Sequence, residues 1–113
     1  VREPALKAGI WVNAQVRLCN QNHMPAMVRR RGDADAGSIL IIIDQLDGTA
    51  SVLSQVRDAE GARNWLKVTG EHPVPYAESE AYIQRRAATD PDIWVLEIED
   101  KSGAYKPDAP VVT

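Results

Sequence analysis

The run Ile39-Leu40-Ile41-Ile42-Ile43 constrains this chain most, because branched apolar side chains in unbroken succession leave a strand with no polar face. Such a strand needs cover on both sides of its sheet, so it is placed at the centre. The dipeptide Asp47-Gly48 then predicts a two-residue hairpin, since both residues tolerate positive φ, and residues 49 to 56 return as the antiparallel partner.

The other elements are read outward from that strand. Residues 24 to 31 alternate, with Ala26 and Val28 on one side and Met27, Arg29 and Arg31 on the other, the period of a half-exposed strand. Further strands are expected over 64–69 and 93–99, the last with Trp94, Leu96 and Ile98 inward and Glu97 and Glu99 outward. A helix is expected from Ala5 to about Gln21, where Leu6, Ile10, Trp11, Ala14, Leu18 and Cys19 recur at three- and four-residue intervals. Gly9 beside Ile10-Trp11-Val12 would equally suit a short strand. A second helix is expected from Tyr76 or Ala77 to Ala88, with Glu78 and Glu80 early and Arg85 and Arg86 late, as the helix dipole favours.

Residues 1–4 read as a lead-in and 57–63 as a loop or a short helical turn. Residues 71–75 read as an extended linker, because Pro73 and Pro75 cannot donate to a ladder. The result is an α+β fold: a two-layer, mainly antiparallel meander sheet of about five strands with two helices packed on it. The domain spans 5–103, and 104–113 is expected to be a flexible C-terminal tail.

At 113 residues, with 44% hydrophobic and 26% charged side chains, the chain has a globular composition and can bury its own core. Phe is absent, which leaves Trp11, Trp65 and Trp94 as the expected core anchors rather than a stacking platform. A net charge of -3 argues against wrapping nucleic acid or sitting on anionic lipid. A lone cysteine, Cys19, forms no internal disulfide and suits a reducing compartment, so the cytoplasm is expected. No apolar run approaches the ~18 residues of a membrane span, and the start of the chain lacks the layout of a signal peptide.

Four stretches together resemble an uncharacterised family of small bacterial proteins, a domain of unknown function: Ile10-Trp11-Val12, the segment Arg30-Arg31-Gly32-Asp33-Ala34-Asp35-Ala36-Gly37, Leu46-Asp47-Gly48-Thr49-Ala50, and the run from Asp90-Pro91-Asp92-Ile93-Trp94 to Asp100. The resemblance spans residues 6 to 103. It implies no activity, cofactor or catalytic residue.

The most unusual chemistry lies in residues 29–37, where three guanidiniums precede two carboxylates set between glycines. Arg29, Arg30, Arg31, Gly32, Asp33, Asp35 and Gly37 are therefore the candidate anion- or partner-binding residues, since guanidinium forks and glycine-freed N–H groups both suit anions. The structural alternative pairs Arg29 and Arg31 with Glu97 and Glu99 across neighbouring strands.

Asp33, Asp35 and, eleven residues after the first, Asp44 resemble the ends of a calcium loop. Gly37 and Ser38 break that pattern where a third ligand and a turn glycine belong. Magnesium on Asp33 and Asp35 has no further support. Cys19 and His23, four residues apart, suit a thiolate–imidazole pair, and His72 adds a third zinc-type ligand. The orienting group, the oxyanion site and the tight ligand spacing are all missing. Arg31-Gly32-Asp33 matches the adhesion tripeptide by letters only.

No catalytic set, metal site or cofactor is expected. The favoured function is a small non-enzymatic interaction module whose arginine-rich strand and loop bind a protein partner or the chain itself. The alternatives are a small enzyme or binder of an anionic small molecule at the 29–37 loop and, behind it, nucleic-acid binding.

Overall fold

The computed structural model describes residues 7–113. The expected lead-in and the first residues of the expected first helix, Ala5 and Leu6, lie outside them. The elements are α1 (Ala8–Gln21), β1 (Ala26–Arg30), β2 (Ile39–Asp44), β3 (Thr49–Arg57), β4 (Arg63–Lys67), β5 (Val74–Pro75), α2 (Tyr76–Thr89), β6 (Trp94–Glu99) and β7 (Val111–Val112). One sheet holds the strands in the order β1-β6-β2-β3-β4-β7, with β5 paired to β3.

The apolar run is central: β2 lies between β6 and β3, and Leu40, Ile41 and Ile42 are 0% exposed. Its alternate side chains enter different cores. Ile39 and Ile41 pack with Trp11, Val12 and Cys19 of α1, together with Trp65 and Trp94. Leu40 and Ile42 pack with Ile83 of α2, Val52 and Val95. The helices thus lie on opposite faces, and the expected two layers become three. The same absence of a polar face that centred this strand demands a helix on each side.

The expected antiparallel meander is also corrected, because the sheet is mixed. β6 pairs parallel to β2, from Ile39 opposite Trp94 to Asp44 opposite Glu99, and it separates β2 from β1. β1 lies antiparallel on the far side of β6, with Ala26 opposite Ile98 and Val28 opposite Leu96. A strand paired on both edges has its exposure decided by what lies over its faces, and with Tyr76 of α2 and Arg29 over it Glu97, expected outward, is only 8% exposed. Residues 31–38 therefore do not close a hairpin. They arch over the entrance to β6.

Smaller corrections have local causes. The β2–β3 hairpin closes with Gln45 N–H donating to Thr49 O at 3.1 Å, and the positive φ values fall on Leu46 (61°) and Gly48 (90°) rather than on Asp47. Asp47 instead braces the turn through its side chain, the carboxylate accepting the Thr49 N–H at 2.9 Å. In the proline linker, Val74 and Pro75 pair with Ala50 and Thr49, and the N–H that Pro75 lacks is supplied by Tyr76, donating to Gly48 O at 2.9 Å.

Residues 104–113 lie along the α1 side of the sheet. The buried Asp100 carboxylate accepts the N–H groups of Ala104 and Tyr105, each at 2.9 Å, and the buried Tyr105 donates its hydroxyl to Gln15 Oε1 at 2.9 Å. Val111 and Val112 then pair parallel to Trp65 and Leu66. Among the described residues no helix is long and apolar enough to cross a membrane.

Candidate functional site

The candidate residues of the 29–37 segment divide between several structural tasks. A bulge between Val28 and Arg30 turns Arg29 toward α2. Its guanidinium forks onto Glu80, Nη1 to Oε1 at 2.8 Å and Nη2 to Oε2 at 3.1 Å, and Nη1 also reaches Glu97 Oε1 at 2.5 Å. Tyr76 donates its hydroxyl to the same Glu97 oxygen at 2.7 Å. Three elements are thereby tied together around the buried Glu97, whose desolvated charge requires such partners. The Arg29 hydrogen bond holds the Glu80 carboxyl below its usual range. Burial, then the hydrogen bond to Glu97, pushes the Tyr76 phenol up.

The expected pairing of Arg29 with Glu97 is present. Arg31 instead lies 5.9 Å from the centre of the Trp94 ring, and Arg30 donates to Pro91 O at 2.9 Å while its buried Nε meets no acceptor among the described residues.

Gly32 and Gly37 are glycines because of close approach. A Cβ at either would overlap the Asp92 carbonyl oxygen and stand 2.7 or 2.9 Å from Cδ1 of Trp94. The loop must press this tightly because it crosses the entrance to β6. Asp33 donates its N–H to Asp92 O at 3.0 Å, and the Trp94 indole donates to Asp33 O at 2.7 Å. The Asp33 carboxylate accepts the N–H groups of Asp35 and Ala36, at 3.2 and 2.8 Å, so these donors already hold an internal anion. On its other side the loop offers carbonyls to the start of α1, with Gly9 N–H on Ala34 O at 2.9 Å and Ala8 N–H on Asp35 O at 3.4 Å.

The remaining sequence candidates stay apart from a reactive set. Cys19 is buried in the α1 core, and burial pushes its thiol up. His23 is exposed at the end of α1 with a φ of 62°, and His72 is exposed ahead of β5. Among the described residues no group of three His, Cys, Asp or Glu is placed to hold a metal ion. All three tryptophans are buried, as core anchors should be.

A cavity lies elsewhere, at the pole where α1 and β2 begin. It measures about 390 Å³, with Lys7, Trp11, residues 35–38, Arg57 and Arg63 among its lining. β3 and β4 outrun β2 here, and their register sets Arg57 directly opposite Arg63, two positions beyond the Gln55–Trp65 pair and so on the same face, toward α1. Asp58 makes this alignment possible by closing the hairpin: its carboxylate accepts the N–H groups of Ala62 and Glu60 at 2.9 and 3.0 Å.

Arg57 donates to Gly61 O at 2.9 Å. The Arg63 guanidinium lies 5.4 Å from the centre of the Trp11 ring and 3.5 Å from the Asp108 carboxylate. Lys7, at the rim, stands 3.5 Å from the exposed Asp35. Three cations therefore border one cleft. Sequence reading placed Arg57 and Arg63 at the two ends of a loop; their equal distance from its centre is the signal that they face each other once the flanking strands pair.

These features define a class: a small α+β protein with a helix on each face of a mixed sheet and a cationic cleft at one pole. The chain belongs to the family DUF1491, described as a protein of unknown function, whose model matches residues 6–106. It is similar to the crystal structure of a DUF1491 family protein from Caulobacter crescentus, at 37% identity over 96% of this chain and 100% of that one, with a TM-score of 0.85. An NMR structure of a DUF1491 family protein from the same organism matches at 36% identity over 98% and 100% of the two chains, with a TM-score of 0.84. A solution structure of a protein from A. tumefaciens, at 24% identity over 92% and 98%, shares the fold with a TM-score of 0.73. No curated protein matches the chain.

Proposed function

We propose that this protein binds a small anionic ligand, bearing a carboxylate or phosphate, in the cleft beside Arg57 and Arg63. One observation carries the reading: two arginines occupy directly opposed positions on adjacent strands and on one face, and both line the cleft. Like charges so placed destabilise a sheet, and an anion between them removes that cost. Lys7 adds a third cation at the rim, beside Asp35 of the same lining, while Ile39 and Trp11 give the cleft apolar walls for the rest of the ligand. The 29–37 segment serves this site through its far end, Asp35 to Gly37, while Arg29 and Arg30 hold the scaffold. The buried thiol of Cys19 fits work in a reducing compartment, and we place that work in the cytoplasm.

Calorimetric titration with inorganic phosphate and with citrate tests the reading. Arg57→Ser is expected to weaken binding about tenfold, the effect of losing one charged hydrogen bond. Absence of binding heat for both anions in the wild type overturns it.

A second reading, association with a protein strand along β1, has its own support. β1 has β6 as its sole neighbour among the described strands, and Met27 on it is 46% exposed. Sedimentation across a concentration series should then show a dimer that Met27→Lys abolishes; a wild-type monomer throughout removes self-pairing.

A further inference from the structure

Arg63 has two neighbours. On one side it lines the cleft, and on the other its Nη1 lies 3.5 Å from Asp108 Oδ2. Asp108 belongs to the C-terminal strap, and its carboxylate also accepts the indole N–H groups of Trp11 at 2.9 Å and Trp65 at 3.5 Å. Past it, Trp65 N–H donates to Pro110 O at 2.8 Å, and Val111 and Val112 complete a two-residue ladder with their side chains 41% and 43% exposed. The end of the strap is thus held by one carboxylate, a short ladder and Ala109 packed on the α1-side core, with little further apolar burial. Segments held in this way open locally at low cost.

We propose that Asp108 is a built-in competitor for the anion site. It docks the strap by neutralising Arg63, and it yields that guanidinium when a ligand anion enters the cleft. The inference rests on the anion-binding reading above and adds its regulation. Arg57, whose guanidinium among the described residues donates to a neutral carbonyl, remains available in both states and supplies the first contact. Competition of this kind is reciprocal: the factor by which the docked strap weakens the ligand is the factor by which the ligand weakens the strap.

Titration of the full chain with inorganic phosphate tests this in the wild type, Asp108→Asn and Arg57→Ser. Asn keeps one acceptor oxygen, for the nearer Trp11 indole, and removes the charge. The Asn variant is expected to bind phosphate about threefold to fivefold tighter, the equivalent of releasing one exposed ion pair. In the wild type, phosphate should shift the indole N–H resonances of Trp11 and Trp65 more than that of Trp94, which donates to Asp33 O instead. An affinity unchanged or lowered in Asp108→Asn, with wild-type binding intact and weakened in Arg57→Ser, overturns the competition and leaves the anion site standing. Trp11 and Trp65 resonances that stay fixed at saturating phosphate overturn it as well, whatever the variant's stability. Absence of phosphate binding in both wild type and Asp108→Asn overturns the two readings together.

Discussion

At the scale of single residues, the 29–37 segment shows how a conspicuous sequence can serve packing. Its glycines suggest an anion nest when read alone, yet Gly32 and Gly37 are small because the Asp92 carbonyl and the Trp94 ring lie where a side chain would go. Gly32→Ala is therefore expected to destabilise the fold by about 3 kcal/mol, which in a domain of this size lowers Tm by about 10 °C. Gly70 makes the contrast: with a φ of 92° and open space around it, Gly70→Ala meets only the left-handed backbone cost of about 1 to 2 kcal/mol. Thermal melts of the two variants check the ranking, and an equal loss in both would show that the loop does not press on β6. Arg57 and Arg63 illustrate the converse. Neither is conspicuous in the sequence, because charge at the ends of a loop is ordinary until strand register sets the two side by side.

Among elements, α2 is secured by charge as well as by its apolar stripe. Ile83 reaches the core, while Glu80 and Tyr76 meet Arg29 of β1 and Glu97 of β6 at the sheet surface. Because the folded Glu80 pKa lies below the ordinary value of 4.5, the unfolded chain binds the proton more readily, and acid favours unfolding. The contribution of this pair is complete above that value and disappears as pH falls through the lowered folded one. Glu80→Gln should cost about 1 kcal/mol at neutral pH and nothing at about pH 2. Denaturant unfolding of both proteins at the two pH values checks this; a gap that persists in acid would assign the loss to packing instead. Both helices were legible from their apolar spacing and so were the five longer strands, because each carries a local apolar pattern, alternating or, in β2, unbroken. The two-residue strands β5 and β7 were not, since pairing in so short a piece is fixed by the neighbour it meets.

For the molecule as a whole, the apolar run 39–43 determined by itself that a central strand exists and that both of its faces are covered, because burial follows from side-chain chemistry alone. The sequence likewise determined that Arg29 and Glu97 would meet once their strands became neighbours. Only the tertiary structure decided which strand lies beside β2. Pairing partners are chosen by chain connectivity across long separations, and the insertion of β6 between β1 and β2 leaves no local period to read. The cleft belongs to the same level: it exists because β3 and β4 extend past the start of β2, a difference in strand length and register that brings Arg57 and Arg63, from the two sides of one hairpin, together with Lys7 at the start of α1.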